Sequence, residues 1–593
     1  MQLKLFGFLY AIIPIFSFSQ TKPDAYPQGY FRNPLDIPIK LSANYGELRS
    51  NHWHMGLDIR TNQKENLPVH AAAAGYISKI RIEPLGFGRV IFINHPNGFT
   101  TIYGHMNGFF PELEKYVREQ QYKKESWEIE LQIPKSMFTV SKGDFIGSSG
   151  NTGASGGAHV HFEIRETKTD KCLNPLLFGF PLVDNTPPVI SRLAMYERSI
   201  SIYEQSPKLF SLKKTEGGYI IPKIPVIMTG SGKLSFAIQA FDRITGSSNP
   251  NGIYSATLFF DDEPQVAFFL DNIDYNETHY LNAHIDYRYK HNGGAYLQHL
   301  SKLPGDNGPV YKLLNGDGII ILNDTNVHKV RIEVIDAYNN KSVLNFKIQH
   351  SNSLMTIAGI AASQAVFNPN EVNVFEQDDF EIHTGEDCMY DTVHILYLRT
   401  NEPVAGAVSA RHHIADPSIP VHGGITINIK PTATISQEIR DKIVIRRNDG
   451  EGNSTKPAIW QRGWLSATFN EFGSFQAFAD LTPPLVHELG YKDTLDLSSA
   501  SRILFQPTDN FGVKTFRAEL DGSWLMFTND KGRSYIYKFD EKCPFGVHEL
   551  KLIVTDIAGN ITTKNWWFKR GPYTHPKKVK SKKHGGGKKK KKK

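Results

Sequence analysis

The stretch GRVIFINHPNGFTTIYGHM, residues 88–106, restricts the fold more than any other part of the chain. Two runs alternate apolar and polar side chains, and PNG stands between them as a turn. Such a pair makes an antiparallel hairpin and does not fit a helix. Similar runs recur further on, as in TVHILYLRT, GITINIKPT and GWLSATFNEFGSFQAFAD. An aromatic content of 12%, with 33 prolines and 48 glycines, points the same way. The expected fold class is therefore mainly β. At 593 residues the chain outgrows one hydrophobic core, and about three to five domains are expected.

The first nineteen residues, MQLKLFGFLYAIIPIFSFS, place one lysine before a short apolar run and end on small residues. They read as a secretory signal cut near Ser19, which implies an exported mature chain. No later apolar run is long enough to span a membrane. Residues 20–183 form a first β domain. Within it PELEKYVREQQYKKESWEIEL stands apart: its first half reads as helix, and its second alternates around Trp127, Ile129 and Leu131. This is an α+β insertion at about 108–138, placed to wall or cover a cleft.

Beyond residue 183 a repeat appears. DNTPPVISRLAMYE at Asp184 resembles LTPPLVHELGYKD at Leu481. Each start is followed by an acidic turn and closes on a strand–turn, VRIEVIDAYNNKS in one copy and LKLIVTDIAGNIT in the other. Two sandwiches of one type, resembling bacterial immunoglobulin-like modules, are expected at 184–350 and 481–570. The first carries HYLNAHIDYRYKHNGGAYLQHLSKLPGDNG as an insertion. Residues 351–480 read as another β-sandwich of uncertain type, which brings the β-sandwich domains to about three.

Residues 571–593 form a lysine-rich tail. HPKKVKSKKHGGGKKKKKK holds eleven lysines and no acid, so a net charge of +7 becomes −4 without it. Such a run buries nothing and is expected to be disordered. It is either simply solvated or in contact with anionic polymers or lipid headgroups. No aromatic-interleaved basic surface accompanies it, so nucleic acid is not an expected partner. Cys172, Cys388 and Cys543 are few, odd in number and far apart, which implies no disulfide framework. No CxxC pair exists, so any metal site must use histidine and carboxylate.

The first domain offers such groups. NHWHMGLDIR contains His54 and Asp58, TIYGHMNG contains His105, and GAHVHFEI contains His159 and His161. On a strand His159, His161 and Glu163 share one face, while Val160, Phe162 and Ile164 share the other and face the core. An imidazole and a carboxylate are standard zinc ligands, and three ligands plus an open position is the catalytic pattern. The remaining two histidines would handle protons or steady an oxyanion. His95 reads as a structural histidine and His52 as a neighbour. His412 and His413 read as surface residues facing opposite ways. Tyr103 is either a cleft residue or a core aromatic. Arg49 and Asn51 lie close to the motif without an assigned role.

Four motifs in order carry a resemblance. HMGLDIRTNQKENLPVHAAAAGYI is similar to an HxGxD block and the strand after it. GFGRVIFINHPNGFTTIYGHM is similar to a strand pair ending in a lone histidine, and VSKGDFIGSSGNTGASGGAHVHFEI to a closing HxH block. Together they cover about residues 40–180 and resemble the lysostaphin/LytM-type zinc peptidases, which cut peptide bridges in bacterial cell walls. Ala158 and Val160 stand where the family often has proline and leucine, and the polar residues are unchanged. The resemblance implies an antiparallel β zinc-peptidase domain. It implies one Zn2+ per chain on His54, Asp58 and His161, with His105 and His159 as the catalytic pair.

The implied function is a zinc metalloendopeptidase acting on peptidoglycan in the periplasm or at the cell surface. The sandwiches would contact other envelope proteins, and the tail anionic envelope polymers. Two alternatives stay open: a non-catalytic module that binds wall or activates a hydrolase, and a zinc peptidase for a non-wall protein.

Overall fold

The computed structural model describes residues 26–354, 363–401, 403–450, 452–490 and 493–572. The signal segment at 1–19 and the lysines of the tail lie outside the described residues. The molecule is mainly β, with 45% of it in strands and 8% in helices.

The first domain is built on one sheet. Its strands are β1 (Leu41–Ala43), β2 (Leu57–Arg60), β3 (Gly75–Ile82), β4 (Arg89–Asn94), β5 (Phe99–Gly104), β6 (Ile129–Gln132) and β7 (His159–Glu166). Their order is β1–β2–β7–β5–β4–β3–β6, and every pair is antiparallel. The hairpin read from residues 88–106 is β4–β5. Strand β7 lies in the middle. Val160, Phe162 and Ile164 point from it into the core and are fully buried, each stabilising the fold by about 1.5–3 kcal/mol. The opposite face of β7 is free to hold polar groups.

The insertion has the two halves expected of it. Helix α1 (Pro111–Lys124) starts on a proline, where a missing N–H costs nothing. Acids occupy its first turn and lysines its last, matching the helix dipole. Leu113 and Val117 are buried. Strand β6 then extends the sheet beside β3.

Chain continuity beyond residue 183 does not break the structure into beads. The strand Cys172–Leu173 pairs with β7 on one side and with Asn272–Ile273 on the other, so one sheet runs across the boundary. Gly252 N–H donates to Asn44 Oδ1 at 2.7 Å, and Asn44 Nδ2 donates back to the Gly252 carbonyl at 2.9 Å. The segment from Tyr280 onward forms two short helices, Leu281–His284 and Tyr287–His291. His284 packs beside Trp53 and against Phe268.

Residues 373–479 hold two five-stranded sheets. A buried ion pair between Arg198 and Asp391, 3.3 Å, ties them to the preceding sheets. His412 corrects the surface reading. It is fully buried, packed against Phe380 and Tyr397, with Nδ1 at 2.9 Å from the Tyr397 hydroxyl. His413 is half-buried on the opposite face. Alternation revealed the opposite facing but not which faces were covered. Tyr103 is a core residue: its hydroxyl is buried and accepts from Ala72 N–H at 2.7 Å.

Candidate active site

Register assembles the site. His161 on β7 stands opposite Asp58 on β2 and opposite Gly104 at the end of β5. Directly opposed side chains of an antiparallel pair share a face, so Asp58 and His161 meet. His105 follows Gly104. His54 reaches in from the turn before β2, where Gly56 makes the approach possible. A Cβ at residue 56 would lie 2.5 Å from the Phe162 carbonyl and 3.0 Å from His161 Nε2.

Three donor atoms converge. His54 Nε2 lies 2.9 Å from Asp58 Oδ1 and 3.0 Å from His161 Nδ1, and His161 Nδ1 lies 2.9 Å from Asp58 Oδ1. All three residues are buried. The outer nitrogen of each ring is already committed. His54 Nδ1–H donates to the Asn44 carbonyl at 2.7 Å, and His161 Nε2–H donates to Glu163 Oε1 at 2.9 Å. These bonds orient both rings so that the inner nitrogens face a carboxylate oxygen, where a metal would take the place of a proton. Two imidazole nitrogens and one carboxylate oxygen, clustered this tightly, fit a divalent metal such as zinc.

Electrostatics agree with an ionised centre. Burial opposes charge on Asp58, but His54, His159 and His161 beside it outweigh that and hold it well below the usual carboxylate range. Burial also works against charging His161, but hydrogen bonds to Asp58 and Glu163 win, and its pKa is pushed up to about 9.

His105 and His159 form the other pair, with ring centroids 4.7 Å apart. His105 Nδ1–H donates to the Thr152 carbonyl at 2.8 Å, and His159 Nδ1–H to the Gly157 carbonyl at 2.8 Å. His159 Nε2 faces Asp58 Oδ1 at 3.3 Å. Burial, with His161 and His159 nearby, lowers the His105 pKa to about 3, so this ring is neutral. His105 also sits at φ +62°, a left-handed conformation that costs a non-glycine residue about 1 kcal/mol or more. The five residues singled out in the sequence thus meet in one place. His95 does not join them; its two nitrogens bond the Ala74 carbonyl and Thr101 Oγ1. His52 bonds the Ser50 carbonyl instead.

Residues 52–122 match the family model described as Peptidase family M23. The chain carries an M23 peptidase domain. That match takes in His54, Asp58 and His105, while His159 and His161 lie beyond it and join through the fold. Residues 364–480 match a Zu5-like domain, which gives a type to the sandwich left uncertain in the sequence. An uncharacterized metalloprotease of Haemophilus influenzae is 27% identical over 160 residues, covering 26% of this chain and 28% of the relative. The DD-carboxypeptidase/endopeptidase Mpg of Neisseria meningitidis serogroup B is 28% identical over 163 residues, covering 27% of this chain and 31% of the relative. The chain therefore spans about a third or less of the curated relatives it matches. Among solved structures, a mutant catalytic domain of the prophage-encoded M23 protein EnpA from Enterococcus faecalis is 22% identical. It covers 25% of this chain and 96% of that one, at a TM-score of 0.19.

Around the M23 centre lie residues that carried no assigned role in the sequence reading. Glu163 is fully buried behind His161. Its Oε1 accepts from Tyr275 O–H at 2.6 Å, and its Oε2 from Arg165 Nε–H at 2.7 Å. Its place two residues after His161 was visible as a shared strand face; Tyr275, 112 residues away, was not. Arg49 has a partner after all, donating from Nη2 to Asp58 Oδ2 at 2.8 Å. An open cavity of about 700 Å³ lies over the site, lined by Lys40, Arg49, Arg60, His105 and His159 together with the 154–158 loop.

The insertion does not line this cavity. Helix α1 faces the last domain instead, through Arg118 with Glu541 (3.0 Å) and Tyr122 beside Trp524. Glu125 at its C-terminal end pairs with Arg517 at 2.7 Å. From that domain Lys531 Nζ donates to the Ser155 carbonyl at 2.6 Å, and Asp530 Oδ1 accepts from Gly153 N–H at 2.8 Å. The loop that leads into His159 is therefore held from outside the M23 domain.

Proposed function

We propose that the chain is an exported zinc metalloendopeptidase that hydrolyses peptide bonds in peptidoglycan stem peptides or crosslinks. The observation that carries the reading is the complete polar set: three converging donors and two further histidines, every ring anchored by its other nitrogen. A zinc ion at His54, Asp58 and His161 would supply a Lewis acid that polarises a carbonyl and acidifies water.

The chain's own residues would do the rest. His105 and His159 stand side by side at the cavity, each with Nδ1–H committed to a backbone carbonyl, and this pair would handle the proton and steady the oxyanion. Lys40, Arg49 and Arg60 give the cavity a cationic wall, which suits a peptide bearing free carboxylates. The Neisseria relative is a DD-carboxypeptidase/endopeptidase, which supports the choice of wall peptides. The apolar N-terminal segment supports export, and no helix among the described residues is long and apolar enough to cross a membrane.

The test is mass spectrometry of muropeptides digested by the purified protein beside its His159→Ala variant. New amine and carboxyl ends with the wild type alone support the reading. A zinc-loaded wild type that cuts no crosslinked or uncrosslinked wall peptide refutes it.

A further inference from the structure

The two TPP segments share more than a sequence start. Asp184, Asp242 and Asp336 each offer an oxygen, and these oxygens lie within 4.8 Å of one another; Asp480, Asp509 and Asp556 do the same. Each trio takes one acid from just before TPP, one from the acidic turn and one from the closing strand–turn. The framing is the same in both copies. Asn340 donates from its backbone N–H and from Nδ2 to the two oxygens of Asp336, and from Nδ2 also to the Asp184 carbonyl. Asn560 does so with Asp556 and the Asp480 carbonyl.

The hydrogen bonds leave oxygens unused. Asp184 Oδ1 accepts from Thr186 N–H and from Thr245 N–H and O–H, while its Oδ2 is buried without a partner. Asp480 repeats this, with Oδ1 bonded to Thr482 and Asn510 and Oδ2 orphaned. Asp242 Oδ1 and Asp509 Oδ2 are orphaned as well. Asp184, Asp242 and Asp480 are only 6%, 3% and 1% exposed. In the first copy Asn251 stands directly opposite Asp242, so its side chain leaves on the same face, and both its amide atoms are buried without a partner. A buried carboxylate oxygen with no partner is strongly disfavoured unless something neutralises it. Burial, with Asp336 and Asp184 alongside, pushes the Asp242 pKa up to about 8.

We infer that each acidic trio is a binding site for a calcium ion, one in each repeat. The donors of each trio are carboxylate oxygens alone, which selects a hard cation over zinc. Both sites lie at domain joints. Ile244 and Ala337, beside the first trio, pack into the core of the M23 domain. Ile557 and Ala558, beside the second, pack on Val444 and Phe478 of the Zu5-like domain. An ion bound there ties the segment entering each repeat to two of that repeat's loops.

The test is calorimetric titration of calcium into the full chain, stripped with a chelator and resupplied with one equivalent of zinc. Two calcium ions per chain are expected, one each for Asp242→Asn and Asp509→Asn, and none for the double variant. In calcium-free buffer the single variants are expected to melt no lower than wild type, because each replaces a crowded carboxyl group with a neutral amide of the same shape; a merely structural aspartate would give a lower melting point. If a variant fails to fold, the wild-type stoichiometry still decides. Fewer than two calcium ions per wild-type chain, or two that survive the double substitution, overturns the inference. This result is independent of whether the histidine site holds zinc or cuts peptides.

Discussion

Glu163→Gln separates the orientation of the metal-facing histidine from the metal ligands themselves. In the wild type one carboxylate serves three donors: His161 Nε2–H at 2.9 Å, Tyr275 O–H at 2.6 Å and Arg165 Nε–H at 2.7 Å. A glutamine keeps the shape but has one acceptor oxygen, and its NH2 must face a donor. If the oxygen stays with His161, buried Arg165 keeps only Asp170, itself 63% exposed, as a counter-charge. If it turns to Arg165, His161 loses the bond that sets its tautomer. Loss of such an outer partner lowers metal affinity about 10–100-fold, or about 1.4–2.7 kcal/mol. Breaking the buried ion pair from one side costs the metal-free fold up to about 3–5 kcal/mol. Competition titration against a zinc chelator reads the first quantity, and urea unfolding of the metal-free protein reads the second. Asp170→Asn is the control: it weakens the Arg165 pair at its exposed end and is expected to leave zinc affinity unchanged. Zinc affinity within twofold of wild type in Glu163→Gln would refute the orienting role.

Three further outcomes follow from the geometry. Gly56→Ala forces a Cβ to 2.5 Å from the Phe162 carbonyl. Its strain, about 1–3 kcal/mol, is expected to appear as a lower melting temperature and reduced zinc content. Lys531→Ala removes the donor held by the Ser155 carbonyl. Amide exchange across residues 151–157 should accelerate about tenfold, as expected for one lost charge-assisted bond, with zinc content unchanged; unchanged exchange would show the clamp to be idle. Burial lowers the His284 pKa to about 4, so the folded state holds this ring neutral. Its contribution to stability is present above pH 6.5 and is lost as pH falls from 6.5 towards 4, by up to about 1.4 kcal/mol per unit. His284→Gln should therefore flatten the acid side of the stability profile.

What the sequence made legible was what a period of two controls. The alternation in HVHFEI separates the buried Val160, Phe162 and Ile164 from the polar His159, His161 and Glu163, and the structure has both faces as read. The spacing of His54 and Asp58 marked them as candidate ligands, but the close approach of Gly56 to the Phe162 carbonyl was not visible there. Illegible were contacts between distant segments. Tyr275 reaches Glu163, and Lys531 reaches the loop before His159, through surfaces that no local pattern encodes. His412 was misread for the same reason: strand periodicity says which residues share a face, while burial depends on what packs there. The insertion read correctly as helix and strand, but its direction was set by charges more than 400 residues away, at Asp540 and Glu541.

The central claim is that the four histidines divide into metal holders and a catalytic pair. Zinc content and muropeptide cleavage, measured together on His161→Ala and His159→Ala, test it most directly. The account predicts that His161→Ala loses both zinc and cleavage, whereas His159→Ala keeps about one zinc per chain and loses cleavage. A His159→Ala protein that sheds zinc as His161→Ala does, or that cuts at the wild-type rate, would contradict it.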